Sequence, residues 1–123
     1  MSYAAVFVGG GLGAVARYAL QGLVYRSVQG SFPYGTMAVN IIGCFIIGFL
    51  MIAFEERFMV NPLLRLFVTV GILGGFTTFS SFSFETFALL RDGEIMLGVV
   101  NAGASLIGCL AATYIGAVAG KLI

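Results

Sequence analysis

The stretch Gly74-Gly75-Phe76-Thr77-Thr78-Phe79-Ser80-Ser81-Phe82-Ser83-Phe84-Glu85 decides how this chain is read. Two glycines, five hydroxyls and four phenylalanines occupy it, yet it lies in an otherwise apolar run, residues 66–84, that carries no charge. A helix in hydrocarbon must satisfy its backbone polar groups internally, and Gly-Gly followed by Thr-Thr lowers helix propensity in mid-run. The stretch therefore predicts a membrane span broken near its middle, with carbonyls and amides released at depth. Freed carbonyls suit a small hard cation, whereas amides and hydroxyls suit an anion. Phenylalanine contributes too, because a ring edge carries the positive end of its quadrupole.

The remainder of the chain supplies the membrane context. It is 60% hydrophobic and 9% charged, with a mean hydropathy of +1.09, outside the balance of soluble domains. Six basic and five acidic residues leave a net charge of +1, which provides no basic patch for nucleic acid or anionic lipid. Charge-free intervals, read against the about 20 residues needed to cross a bilayer, predict four transmembrane helices at 3–25, 36–54, 63–90 and 95–119. Short connections join them: RSVQGSFPYG, EERFMVN before Pro62, and RDGE with its turn signal. The expected fold is an all-α membrane protein, with residues 1–123 forming one four-helix transmembrane domain.

Three apparent signals dissolve on inspection. Ala14-Val15-Ala16 resembles a signal-peptide cleavage site, but no Lys or Arg precedes the apolar stretch. Gly9-Gly10-Gly11-Leu12-Gly13-Ala14 matches a dinucleotide-binding turn, but residues 29–40 contain no acidic partner for a ribose. Gly9 and Gly13 instead form a small-residue face for close helix packing, a spacing repeated by Gly108, Ala112, Gly116 and Gly120. Cys44 and Cys109 lie in apolar runs, where thiols pack as small hydrophobes, so neither a disulfide nor a metal site is expected of them.

The charges also bear on orientation. With four spans, one side of the membrane holds Arg57, Arg65 and Lys121, and the other holds Arg26 and Arg91. Orientation follows the Lys/Arg asymmetry of short loops, and three against two is nearly none. Such a chain is expected to insert both ways up and to pair as an antiparallel dual-topology homodimer. Counting alone leaves open an orientation imposed by the insertion machinery.

Polar residues within the spans suggest a pathway. Asn40 lies in the second span, and Asn101, Ser105, Cys109 and Thr113 recur every four residues on the fourth, forming one slanted stripe. Any one of them can serve as interhelical glue. Packing rarely concentrates so many donors in a short chain, and the set together points to permeation. Phe79 and Phe82, flanked by Ser80 and Ser83, extend it at the weakened helix.

GGGLGAVARY (9–18), GTMAVNIIG (35–43) and GGFTTFSSFS (74–83), in this order on a four-span chain, resemble the Fluc, or CrcB, family of fluoride channels. The likeness covers essentially the whole chain. It implies a dual-topology homodimer in the cell membrane, with two narrow anion pores that export fluoride passively and a structural sodium ion at the centre. By the family pattern, the main-chain carbonyls of Gly74 and Thr77 hold the sodium. Asn40, Phe79 and Phe82 match fluoride-pathway residues, Ser105, Cys109 and Thr113 the polar track of the last helix, Arg17 a vestibule arginine, and Glu85 the acidic position after the serines. Cys109 departs from the hydroxyl common at its position, and a thiol is a weak donor. The resemblance implies a channel, with fluoride, lipid and a second copy of the chain as partners, and no enzyme. The rival is a dual-topology small multidrug exporter of organic cations, which needs a membrane-embedded carboxylate for proton exchange.

Overall fold

Four helices long and apolar enough to cross a membrane make up the chain, whose computed structural model describes residues 1–123. Helix α1 spans Ser2–Ser27 and α2 spans Tyr34–Glu56. The third span, Pro62–Arg91, is assembled from α3 (Pro62–Leu66), a π-helical segment (Phe67–Leu73), α4 (Gly74–Phe76) and α5 (Phe79–Arg91). Helix α6, Ile95–Leu122, completes the set. Each span extends at most three residues beyond the interval expected from charge alone. Long charged side chains such as Arg26, Glu56 and Lys121 stay helical and can reach the interface, so a charge-free interval underestimates the helix.

The ends have local causes. Pro62 occupies the first turn of α3, and Asn61 Oδ1 accepts the Leu63 amide at 2.8 Å, which caps an otherwise orphaned donor. At the close of α5, Gly93 takes φ +84°, while Gly93 N–H donates to Leu90 and Glu94 N–H to Leu89. That paired bonding is a Schellman ending, and glycine permits its left-handed residue. The turn signal in RDGE thus has a specific form. Ser31 Oγ donates to Glu94 Oε2 at 2.7 Å, which ties the α1–α2 connection to the α5–α6 turn. Arg57 donates to the Lys121 carbonyl at 2.9 Å at the other end of the bundle, as an alternating four-span path requires.

Packing runs through small residues. Gly48 of α2 lies against the Thr113 carbonyl, Gly116 of α6 lies against the Phe45 carbonyl, and a Cβ on Gly120 would stand 2.7 Å from the Phe49 carbonyl. On the other flank, a Cβ on Gly9 would stand 2.6 Å from the Phe67 carbonyl, and Gly13 abuts Ile72. Both small-residue faces read from the sequence are therefore helix contacts. Lipid is as apolar as leucine, so close backbone approach and dispersion hold such helices together rather than burial of large side chains. Only 20 of 123 residues are buried, and Phe7, Tyr18, Ile107 and Leu110 all face outward.

Candidate functional site

The site begins at two residues in extended backbone. Thr77 (φ −87°, ψ 156°) and Thr78 (φ −151°, ψ 110°) separate α4 from α5. Thr78 is the N-cap of α5, its hydroxyl accepting the Ser81 amide at 3.1 Å. Asn40 reaches across from α2 and grips the same residue twice: Thr78 N–H donates to Oδ1 at 2.8 Å, and Nδ2 donates to the Thr78 carbonyl at 3.0 Å. An uninterrupted helix would have sent the Thr78 amide to the Gly74 carbonyl and the Ser81 amide to the Thr77 carbonyl. Asn40 and the Thr78 side chain take those two amides instead. The carbonyls of Gly74 and Thr77 thereby lose their helical donors, and these are the pair singled out by the family pattern.

Arg17 acts at the same place. Its Nε donates to the Gly75 carbonyl at 3.1 Å, so the guanidinium of α1 is anchored on the backbone between those two carbonyls. Gly75 itself packs on α1, where a Cβ would run into the Gly10 carbonyl. Gly74 differs, with open space where its Cβ would project. The Thr77 hydroxyl donates to Leu73 at 3.0 Å and its methyl lies against Gly43.

A cavity of about 450 Å³ adjoins the extended pair. Asn40 and Cys44 of α2 line it, with Gly74, Thr77, Phe79 and Phe82 from the third span and Ser105, Cys109 and Thr113 from α6. Phe79 and Phe82 have ring centroids 5.3 Å apart and planes tilted by 51°. Phe79 is 78% exposed, so most of its ring stands at the surface of the chain.

The hydroxyls are not idle. Ser105 Oγ donates to Asn101 Oδ1 at 3.3 Å, and Thr113 Oγ1 donates to the Cys109 carbonyl at 3.0 Å. Asn101 lies behind the cavity, 1% exposed, with its amide donating to Thr86 Oγ1 at 2.8 Å. The uppermost member of the α6 stripe thus bonds α5 to α6, the interhelical role that the sequence left open for any single residue.

Besides Asn101, four sequence-predicted residues lie outside the cavity. Ser80 sits beside the cap, 3.2 Å from Thr78 Oγ1, and Ser83 is exposed. Arg17 is held by Gly75. Glu85 lines a separate cavity of about 230 Å³ with Tyr25, Asp92 and Glu94. Sequence reading missed Thr78 as a cap, although a Thr directly before a helical run is a recognised start signal. The double bond from Asn40 and the Arg17 anchor join residues 38 and 58 positions apart and leave no local signal.

The fold and this arrangement define a multi-pass membrane protein whose helices line an open, largely apolar cavity beside freed main-chain carbonyls. Residues 4–117 match the family described as CrcB-like protein, Camphor Resistance (CrcB), and the chain belongs to that family. It is similar to proteins named fluoride-specific ion channel FluC. One from Geotalea daltonii is 49% identical over 120 residues, covering 96% of this chain and 97% of the relative. Another, from Magnetococcus marinus, is 46% identical over 123 residues and covers 100% of both chains. A third, from Citrifermentans bemidjiense, is 50% identical over 107 residues, 87% of this chain and 86% of the relative. Proteins of this family are ion channels, not enzymes.

Proposed function

We propose that this chain conducts fluoride passively across the membrane as one subunit of an antiparallel dual-topology homodimer. The observation that carries this reading is the convergence of Asn40, Phe79, Phe82, Ser105 and Thr113, from three separate spans, on one cavity. The names of the relatives supply the ion.

Fluoride is the smallest halide and strongly hydrated, so it sheds water only where fixed donors replace it at each step. Asn40 retains a second N–H after bonding Thr78, and that hydrogen is free to meet an anion. Each hydroxyl has one proton, so Ser105 and Thr113 serve the ion by rotating away from Asn101 and Cys109. Such an exchange swaps one hydrogen bond for another. The edges of Phe79 and Phe82 complete the shell at a constriction. No lysine lies among residues 1–120, so no ammonium grips the ion at close range. Arg17 draws anions electrostatically from its anchor on Gly75. An inside-negative potential supplies about 2.3 kcal/mol per 100 mV for outward movement, without ATP.

We assign the freed carbonyls of Gly74 and Thr77 to a structural sodium ion. The donor chemistry fits, since a hard cation takes oxygen ligands and these two carbonyls have lost their helical amides. When bound, sodium would supply fixed positive charge and tie two copies of the extended Thr77–Thr78 segment together as a break at membrane depth. Open space at Gly74 supports approach by a second copy.

The organic-cation exporter is not favoured. It needs a carboxylate in the transport cavity, and Glu85 lines the other one. The deciding experiment is efflux from liposomes loaded with fluoride, followed with a fluoride electrode after potassium ionophore addition. Flux well above that of protein-free vesicles, with chloride retained, is the expected result. Efflux no faster than from empty vesicles overturns the reading.

A further inference from the structure

Cys44 on α2 and Cys109 on α6 both face the cavity, and neither is in a disulfide. Their helices are held in register on each side of the pair. A Cβ on Gly108, adjacent to Cys109, would stand 3.2 Å from Ile41 Cδ1, and Gly116 abuts the carbonyl of Phe45, adjacent to Cys44. The two thiols therefore sit on packed neighbouring helices and line the same cavity.

We propose that Cys44 and Cys109 form a two-thiol site for a soft, closed-shell metal ion such as Hg²⁺ or Ag⁺, entered from the cavity. Soft ions select thiolate over oxygen, and every other polar group on this wall is an amide, a hydroxyl or a carbonyl. No His, Asp or Glu joins the pair to make a third ligand. A zinc-type tetrahedral site is therefore excluded, while an ion content with two ligands is served. Binding of Hg²⁺ forms two metal–sulfur bonds and releases both thiol protons to water, with no electron transferred and no oxidant required.

Occupancy has a consequence for transport. Cys109 lies between Ser105 and Thr113 on α6, so a metal held there occupies the stretch between two hydroxyls of the cavity wall. That consequence rests on the fluoride-conduction reading, whereas the binding site itself does not.

The test has two arms. Purified protein is treated with excess HgCl₂, desalted through a competing monothiol, and its mercury measured by mass spectrometry. Wild type should retain about one Hg per chain, and Cys44→Ser, Cys109→Ser and their Ala counterparts should each retain about tenfold less or lower, because chelation by two ligands at high effective concentration is lost. Matching size-exclusion profiles establish that the variants remain folded. Equal retention by wild type and any folded single variant overturns the site. In the second arm, the ratio of fluoride efflux with and without HgCl₂ is taken for each protein separately. A fall in this ratio confined to wild type supports obstruction by the chelated ion. Unchanged efflux at full mercury occupancy refutes the obstruction, and mercury retention without any basal fluoride flux sinks the conduction reading while the site stands.

Discussion

Asn40 has two duties, and single substitutions can separate them. Its amide holds the Thr78 backbone on both sides, Asn40 lines the cavity, and the proposed second duty is donation of its remaining N–H to the ion. Asn40→Ala strands the Thr78 amide and should cost about 1–3 kcal/mol, the usual penalty for a buried donor without a partner. Thermal unfolding followed by size exclusion will read that loss. Asn40→Asp keeps an acceptor for the Thr78 amide but sets a carboxylate oxygen against the Thr78 carbonyl and removes both amide donors, so it should be less stable than wild type and lose fluoride flux. Equal flux in wild type and Asn40→Asp would remove the amide from the ion's path. Phe82 poses a parallel question about ring edge against bulk. Phe82→Ile keeps an apolar side chain and should cost less than the about 3–5 kcal/mol typical of Phe→Ala. It should nevertheless cut flux tenfold or more, since about 1.4 kcal/mol of lost ion stabilisation suffices for each factor of ten. Phe82→Tyr should retain more flux, and Phe58→Ile, at a residue 54% exposed outside the site, serves as control. Undiminished efflux through Phe82→Ile would leave the amide and hydroxyls to carry the ion alone.

At the scale of the element, the third span is divided between glycine packing and extended threonines. Gly75 lies where α1 leaves no room for a Cβ, and its carbonyl is the Arg17 anchor. Gly75→Val should therefore push α1 away, release Arg17 and disturb the neighbouring Gly74 and Thr77 carbonyls, at an overpacking cost of about 1–3 kcal/mol or more. Thr77→Val is the contrast. It gives up only the hydroxyl bond to Leu73 and keeps a methyl against Gly43, leaving the main chain in place. Size exclusion, liposome efflux and sodium-dependent thermal shift should all fail for Gly75→Val and largely survive in Thr77→Val. Gly75→Val protein that assembles, conducts and responds to sodium like wild type would mean that the cation lies elsewhere. The motif's glycines and hydroxyls flagged this region from sequence, because they weaken a helix wherever they occur. Its cap and its clamp were not legible in the same way. Thr78 had to be distinguished from its identical neighbour Thr77, and only the approach of Asn40 from α2 does so.

For the whole molecule, the open question is orientation. The bonds at the two ends of the bundle place Arg57 with Lys121 and Ser31 with Glu94, so the three-to-two division of basic residues holds in the folded chain. Single cysteines added near either terminus should react with an impermeant maleimide from both faces of the cell membrane, read against the chain without the added cysteine because Cys44 and Cys109 are free. Labelling from one face alone would exclude antiparallel insertion. Two or three lysines added to one side should fix the orientation and suppress flux. What the sequence determined by itself was the environment, the number and extent of the spans, their small-residue faces and the family, all of which are local in the chain: charge-free length, residue size every fourth position, and contiguous motifs. Tertiary structure alone decided which amides leave the Gly74 and Thr77 carbonyls free, that Arg17 grips Gly75, that Asn101 is glue while Ser105 and Thr113 face the cavity, and that two thiols distant in sequence share that cavity. The physical reason is that a polar group in a bilayer must find a partner, and the identity of that partner depends on which helix packs beside it.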